Sequence, residues 1–301
     1  MKSLTLDGVT IELLPPEPVL PEWIGQGEPM RQLLACWMDG DDTDPPLSPR
    51  ITGVPGVGKT TLAMAAAKLR GQDCWVQQCT SDTRPEDLII TPVLGDGGRI
   101  LYRASPLLSA VVEGGVCVLD EGNRMSEKAW ASLAALLDHR RTIDSVTAGV
   151  RLKAHDKFRI CVTMNEDGST FDLPDYVVSR LQPKVEIGFP ASAEEERILA
   201  HHAPRAPDDL RKMCVAFLQE AHGLDLPFSV RDGINLVRLA TRLAAQGGGS
   251  PGDSFPESIR RVLGAEAVDL RALRARRPGP ESHGTEDFFF DPEDDDLHSD
   301  R

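Results

Sequence analysis

An α/β fold, with a parallel sheet between two layers of helices and a smaller all-helical region behind it, is what this 301-residue sequence predicts. Three observations carry the prediction. Short apolar runs (DCWVQQC 73–79, VCVLD 116–120, FRICVTM 158–164, KVEIGF 184–189) alternate with helical patterns, and continuous apolar runs suit a sheet covered on both faces. A glycine-rich loop joins a short strand at Arg50–Thr52 to the strong helix former TLAMAAAKL. After Pro190 the strand-like runs stop and helical spacing takes over.

The elements follow in order. Residues 1–14 alternate enough for a short strand or hairpin, and Pro15, Pro16, Pro18 and Pro21 make a connector. Met30, Leu33, Leu34 and Trp37 predict a helix over 27–38, and GDDTDPPLSP (40–49) a loop. Two hairpins interrupt the strand–helix alternation. One spans 88–104 around Gly95-Asp96-Gly97-Gly98, and the other spans about 142–153, turning near Gly149. Ser192 as an N-cap with Glu195 three residues on predicts a capping box. Further helices are expected at 208–222, 231–246 and 256–275. Beyond Pro278 the chain turns acidic and poor in aliphatics, so 278–301 is expected to be disordered. The predicted domains are therefore 1–190, 191–277 and an acidic segment 278–301.

Composition narrows the function. Hydrophobic residues make up 41% and charged residues 27%, ordinary for a globular protein. The formal net charge is −14, of which residues 281–301 carry −8. A mildly acidic body argues against general binding to nucleic acid, which needs a positive footprint. The six cysteines form no CxxC pair, and no histidines stand at zinc spacing; they read as small buried hydrophobes. No apolar run is long enough to span a bilayer and the N-terminus lacks a signal-like core, so a cytoplasmic protein is expected.

The chemistry concentrates in Gly53-Val54-Pro55-Gly56-Val57-Gly58-Lys59-Thr60, which fits GxxxxGK[ST] between strand and helix, with Thr61 continuing the helix. Glycines let backbone N–H groups close around a phosphate, and the helix aims its positive end at the anion. Lys59 supplies a cation to the β- and γ-phosphates of ATP, and the Thr60 hydroxyl a ligand for Mg²⁺. Sixty residues on, VCVLDEGNR ends a buried strand in Asp120 and Glu121. Asp120 suits the Mg²⁺ sphere and Glu121 suits polarising the attacking water. FRICVTMN ends another strand in Asn165, which can orient that water or simply begin the turn Asn-Glu-Asp-Gly.

Taken as an ordered set, GVPGVGKTT, VLDEGNRM, VTMN, LPDYVVSRL and FSVRDGINLVRLA resemble the MoxR-type AAA+ ATPases over about residues 20–245. That family is related to magnesium-chelatase ATPase subunits and to ATPases that mature Rubisco, nitric oxide reductase or gas vesicles. Ile24-Gly25-Gln26 resembles its adenine-contacting segment, TSDTRPEDL (80–88) its post-strand segment, and LLDHRRTID (136–144) the stretch before its second hairpin. The resemblance implies Walker A at Lys59 and Thr60, Walker B at Asp120 and Glu121, and sensor 1 at Asn165. It further implies an arginine finger at Arg180, sensor 2 at Arg231 in a helical lid, and a hexameric homo-oligomeric ring. The finger motif here is Ser179-Arg180-Leu181 where the family often has DRF, and Glu166 follows Asn165 where Pro is usual. Arg124, Arg140 and Arg141 stand as rival contacts to a neighbour. The family further implies a client protein to remodel or mature, with a von Willebrand factor A-domain partner. A nucleic-acid or metal-chelatase motor on the same core, or an ATP-gated scaffold with little turnover, are the alternatives. Arg99, Ile100 and Tyr102 in the first hairpin are candidates to grip a polypeptide or to pack on the next subunit. Phe288-Phe289-Phe290 among carboxylates is a candidate docking peptide.

Overall fold

The computed structural model describes residues 2–6, 8–39, 44–95, 98, 100–165 and 173–276. Hairpin β1 (Ser3–Leu6)–β2 (Val9–Glu12) and α1 (Gly27–Cys36) precede β3 (Arg50–Gly53). There follow α2 (Lys59–Leu69), β4 (Cys74–Gln78), α3 (Pro85–Leu88), β5 (Ile90–Leu94), β6 (Ile100–Ala104) and α4 (Pro106–Glu113). Next come β7 (Val116–Asp120), α5 (Glu127–Leu133), β8 (Thr142–Ser145), β9 (Val150–Lys153) and β10 (Arg159–Asn165). A short α6 (Asp175–Val178) and β11 (Lys184–Glu186) complete this part.

The central sheet is parallel, in the order β11-β3-β10-β7-β4. Its side chains divide by the two-residue period of a strand. In β7, Val116 and Val118 pack with Leu62, Ala63 and Ala66 of α2 and Leu33 of α1. Cys117 and Leu119 point the other way, against Leu107, Leu108 and Val111 of α4 and Trp130 of α5. The sheet is thus the middle layer of three, as the apolar strands predict. All six cysteines are buried. Burial pushes the thiols of Cys74 and Cys79 up to about 12, which leaves them packing groups rather than nucleophiles.

The smaller region is all helical: α7 (Ser192–His202), α8 (Asp208–Gly223), α9 (Val230–Gly247), α10 (Phe255–Val262) and α11 (Leu270–Arg276). Leu199, Leu210, Cys214, Leu218, Leu236, Val237 and Phe255 form its core. Among the described residues no helix is long and apolar enough to cross a membrane. The acidic segment 278–301, with Phe288-Phe289-Phe290, lies outside the described residues, as do Arg99, most of the Gly95–Gly98 turn, and Glu166.

Four expectations change. The first helix ends at Cys36 rather than residue 38. The helix expected over 256–275 is broken after Val262, where Gly264 takes φ +97, a conformation that a side-chain-bearing residue rarely adopts. Tyr102 is half-buried against the core rather than free to grip, and the exposed apolar side chains of the first hairpin are Leu94, Ile100 and Leu101. The N-cap of α7 is Ala191, not Ser192: Glu194 accepts from the Ala191 N–H at 3.3 Å, and Ser192 is already helical.

Glu195, one residue further round the helix, is fully buried. One carboxylate oxygen accepts from Gln219 Nε2 at 2.9 Å, and the other has no partner. Burial raises its pKa from the usual 4.5 to about 7. A carboxyl that holds its proton more tightly folded than unfolded stabilises fully at pH 4.5 and below, and that stability drains away as pH rises to about 7. Glu195→Gln keeps the shape and removes the titration. It is expected to raise the melting temperature at pH 8 by the equivalent of about 2–3 kcal/mol and to leave it unchanged near pH 4.5. Equal melting temperatures of the two proteins at pH 8 would show that the carboxyl is not buried in solution.

Candidate active site

Four strand ends meet at the carboxyl edge of the parallel sheet, where open α/β sheets bind ligands. Register brings them together: Asn165 of β10 lies beside Gly53 of β3, and Gln78 of β4 beside Asp120 of β7. Loop 53–58 then turns tightly enough to need glycine at defined points. A Cβ on Gly53 would lie 2.4 Å from the Ile187 carbonyl oxygen, and one on Gly56 2.3 Å from Ser229 Oγ. Glycine there serves two ends: the backbone folds into a concave nest of amides, and the loop comes close to the first turn of α9.

Lys59, the first residue of α2, is buried, and its ammonium donates to the carbonyls of Gly53 at 2.8 Å and Val54 at 3.1 Å. Thr60 Oγ1 donates to Asp120 Oδ1 at 2.5 Å, and Thr163 Oγ1 donates to the same oxygen at 2.6 Å. Glu121 follows with φ +56, an uncommon backbone for a residue with a side chain, costing about 1–3 kcal/mol. Its N–H donates to Thr163 Oγ1 at 3.0 Å, and its carboxylate accepts from Asn165 Nδ2 at 3.1 Å. Arg124 Nε stands 2.9 Å from the other Glu121 oxygen, and Gln78 Nε2 donates to it at 3.4 Å. The strained turn therefore brings the carboxylate over the sheet edge to Asn165, where it stays partly exposed.

Pro55, Gly56, Gly58, Lys59, Thr60, Thr61, Asp120, Glu121, Thr163, Asn165 and Arg231 line one cleft. Arg231 reaches it from the first turn of α9, which the Asp232 carboxylate caps by accepting from Ser229 N–H and Oγ at 2.8 and 2.9 Å. A larger hollow of about 370 Å³ lies on the helical region. Only the smaller cleft gathers loop amides, an ammonium, a hydroxyl and two carboxylates. Thr60 and Asp120 present hard oxygen donors at one point, the kind of set that Mg²⁺ takes while drawing its remaining ligands from phosphate and water. No group of three or more His, Cys, Asp or Glu among the described residues offers a closed protein cage instead.

Ile24 and Gly25 are not among the residues lining the cleft but flank its loop. Trp23 lies 3.3 Å from where a Gly58 Cβ would sit and donates from Nε1 to the Gln26 carbonyl at 2.9 Å. Gln26 donates to the Phe189 carbonyl at 3.0 Å, so this segment ties the loop's flank to the start of the helical region. Val57 is buried in the core. Arg180 is not brought to its own chain's cleft. It follows α6, donates from Nη1 to the Tyr176 carbonyl at 2.6 Å and lies over the Tyr176 ring at 5.9 Å. Arg50 anchors the same segment by donating to the Leu181 carbonyl at 2.7 Å.

The three rival arginines are otherwise engaged. Arg124 pairs with Glu121, Arg140 pairs with Asp138 at 2.6 Å, and Arg141 donates to the Phe158 carbonyl at 3.0 Å. Thr163, Trp23 and Gln78 are contributors that sequence reasoning missed. Thr163 had a readable signal, since it stands two residues before Asn165 and so shares its face of the strand. Trp23 and Gln78 had none, because their positions follow from tertiary packing.

A family model described as "AAA domain (dynein-related subfamily)" matches residues 51–181, which include Lys59, Asp120, Glu121, Asn165 and Arg180. The chain is 28% identical over 205 residues to the denitrification regulatory protein NirQ of Stutzerimonas stutzeri, covering 67% of this chain and 72% of that protein. It is 25% identical over 239 residues to von Willebrand factor A domain-containing protein 8 of Mus musculus, covering 71% of this chain and 12% of that protein. Among solved structures, a mutant of RuvB from Thermotoga maritima superimposes with a TM-score of 0.59 at 18% identity, over 86% of this chain and 76% of that one, a likeness of fold.

Proposed function

Because this chain is an ATP-hydrolysing AAA+ ATPase of the MoxR type, we propose that it works as a ring whose ATP sites are completed by the neighbouring subunit, and that the ring reshapes a partner protein. The observation that supports this most is a division of parts. Lys59, Thr60, Asp120, Glu121, Asn165 and Arg231 share one cleft, whereas Arg180 stands outside it, not ion-paired among the described residues. An arginine so placed has a use if it reaches the γ-phosphate held by the next subunit.

On this reading residues 1–190 are the nucleotide-binding domain, 191–277 the lid, and 278–301 an acidic extension. The loop amides and Lys59 hold the β- and γ-phosphates of ATP in line for attack. Thr60 and Asp120 are the residues that would hold Mg²⁺, which would supply positive charge against the phosphates. Glu121 accepts the proton of the attacking water while Asn165 fixes the carboxylate's orientation. Thr163 pins both Asp120 and the Glu121 backbone, so the two carboxylates keep their relative aim. Arg231 senses the phosphates from the lid, and the contact between Gly56 and Ser229 lets a change at the loop move α9. The likeness to a long protein whose name carries a von Willebrand factor A domain supports a partner of that kind.

Glu121→Gln tests the proposal. It keeps the side chain's shape and one acceptor oxygen but cannot take a proton. The variant is expected to bind ATP, to lose hydrolysis by about 10²-fold or more, and to retain the partner protein when captured from cell extract in ATP. Wild-type turnover in Glu121→Gln, or capture that is the same with and without ATP, would overturn it.

A further inference from the structure

The hollow of about 370 Å³ on the helical region plays no part in the chemistry above. It lies between the end of α7 and the solvent side of α9. Ala203 and Ala206 are buried at its floor, and His202, Arg205, Arg238 and Arg242 are exposed around it. Arg238 is fixed there by donating to the His202 carbonyl at 2.8 Å. None of the three guanidiniums is ion-paired among the described residues, whereas most other surface arginines have a carboxylate partner. The hollow is positive because three guanidiniums stand around it with no carboxylate among its lining residues. In a chain of net charge −14, an apolar floor ringed by unpaired arginines has the chemistry of a seat for an acidic peptide with an aromatic anchor.

The chain itself carries such a peptide. Residues 286–296 read EDFFFDPEDDD. They follow α11, which is fixed to the helical region by buried Leu270 and by Arg274 pairing with Asp225 at 3.6 Å. Phe288 lies twelve residues beyond Arg276, and that length of chain, extended, reaches about 40 Å. The whole of α9, 18 residues, is about 27 Å long. The stretch is therefore tethered to the body that bears the hollow and is long enough to reach it.

We propose that the acidic–aromatic stretch Glu286–Asp296 docks intramolecularly into the Arg205–Arg238–Arg242 hollow, one phenyl ring on the alanine floor and the flanking carboxylates against the guanidiniums. Each exposed ion pair is weak alone. The tether supplies an effective concentration in the millimolar range, which lets several weak contacts hold together. The seat is on α9, the helix whose first turn carries Arg231, so docking loads the element that touches the nucleotide cleft.

Hydrogen–deuterium exchange of the full chain at low salt tests this. Residues 286–296 are expected to exchange at least about tenfold more slowly in the wild-type chain than in Arg205→Glu/Arg242→Glu, and to lose that protection in high salt. Asp291→Asn/Asp294→Asn/Asp295→Asn, which alters only the peptide, is expected to lose it too. Amides of α8 should exchange alike in all three proteins, confirming the fold. Equal exchange of 286–296 in wild type and both variants overturns the proposal. So does protection that grows with protein concentration, which would place the seat on another copy, or protection that appears only when another protein is added.

Discussion

Arg180→Ala is expected to leave ATP binding within a few-fold of wild type and to lower turnover by about 10³–10⁵, the range that an arginine finger supplies in related phosphoryl transfers. The expectation rests on placement. Arg180 is absent from the cleft of its own chain, and Arg50 holds its segment in place through the Leu181 carbonyl, so the substitution removes a cation without disturbing the phosphate loop. Of the other arginines considered, Arg124 and Arg140 are ion-paired with Glu121 and Asp138, whereas Arg141, like Arg180, donates to a backbone carbonyl. A steady-state ATPase assay beside a nucleotide titration separates the two effects, because a residue acting only at the transition state changes kcat and not affinity. Turnover within a few-fold of wild type removes Arg180 from the reaction.

Lys59→Ala is expected to fail one step earlier, weakening nucleotide binding by about 10²-fold or more, as losing a charge-assisted contact to phosphate does in a buried setting. Lys59 is 7% exposed and begins α2, so its ammonium adds to the positive end of that helix. Titration with a fluorescent nucleotide measures the loss, and an unchanged dissociation constant would deny Lys59 its contact. The two variants also test each other. Mixed together, they create interfaces in which an intact Lys59 site from one subunit meets an intact Arg180 from the next. Recovery of turnover on mixing is expected only if those two residues serve the same site across an interface. Two inactive proteins that stay inactive together would mean that Arg180 acts within its own chain.

Much of the catalytic edge was legible because its residues sit where local pattern is strongest. Asp120 and Asn165 each end an apolar run, and a strand end at the carboxyl edge of a parallel sheet faces a ligand site. The glycine positions of loop 53–58 were readable for a similar reason, since a tight phosphate turn leaves little else that fits. The start of α7 was harder. Three consecutive glutamates, Glu194 to Glu196, offer two ways to pair a cap with an acid three residues on. Burial of Glu195 against Gln219, a contact made only in the assembled helices, decides between them. Gly264 reads as tolerable inside a helix, and only its positive φ breaks the pattern. Trp23 against Gly58 joins residues far apart in sequence, and no periodicity announces such a contact.

A join between two hairpins has a consequence for how the protein is made. Hairpin β1–β2 and hairpin β5–β6 are one four-stranded sheet, in which Ile11 lies beside Tyr102 in parallel pairing. Hairpin β1–β2 therefore leaves the ribosome about ninety residues ahead of its partner, roughly 5–20 s at ordinary rates of synthesis. Through that interval the β2 edge offers unpaired N–H and C=O groups, a template for pairing with another nascent chain. Whatever guards this ATPase during translation has to guard that edge, and slow codons placed between the two hairpins would lengthen the time it stays open.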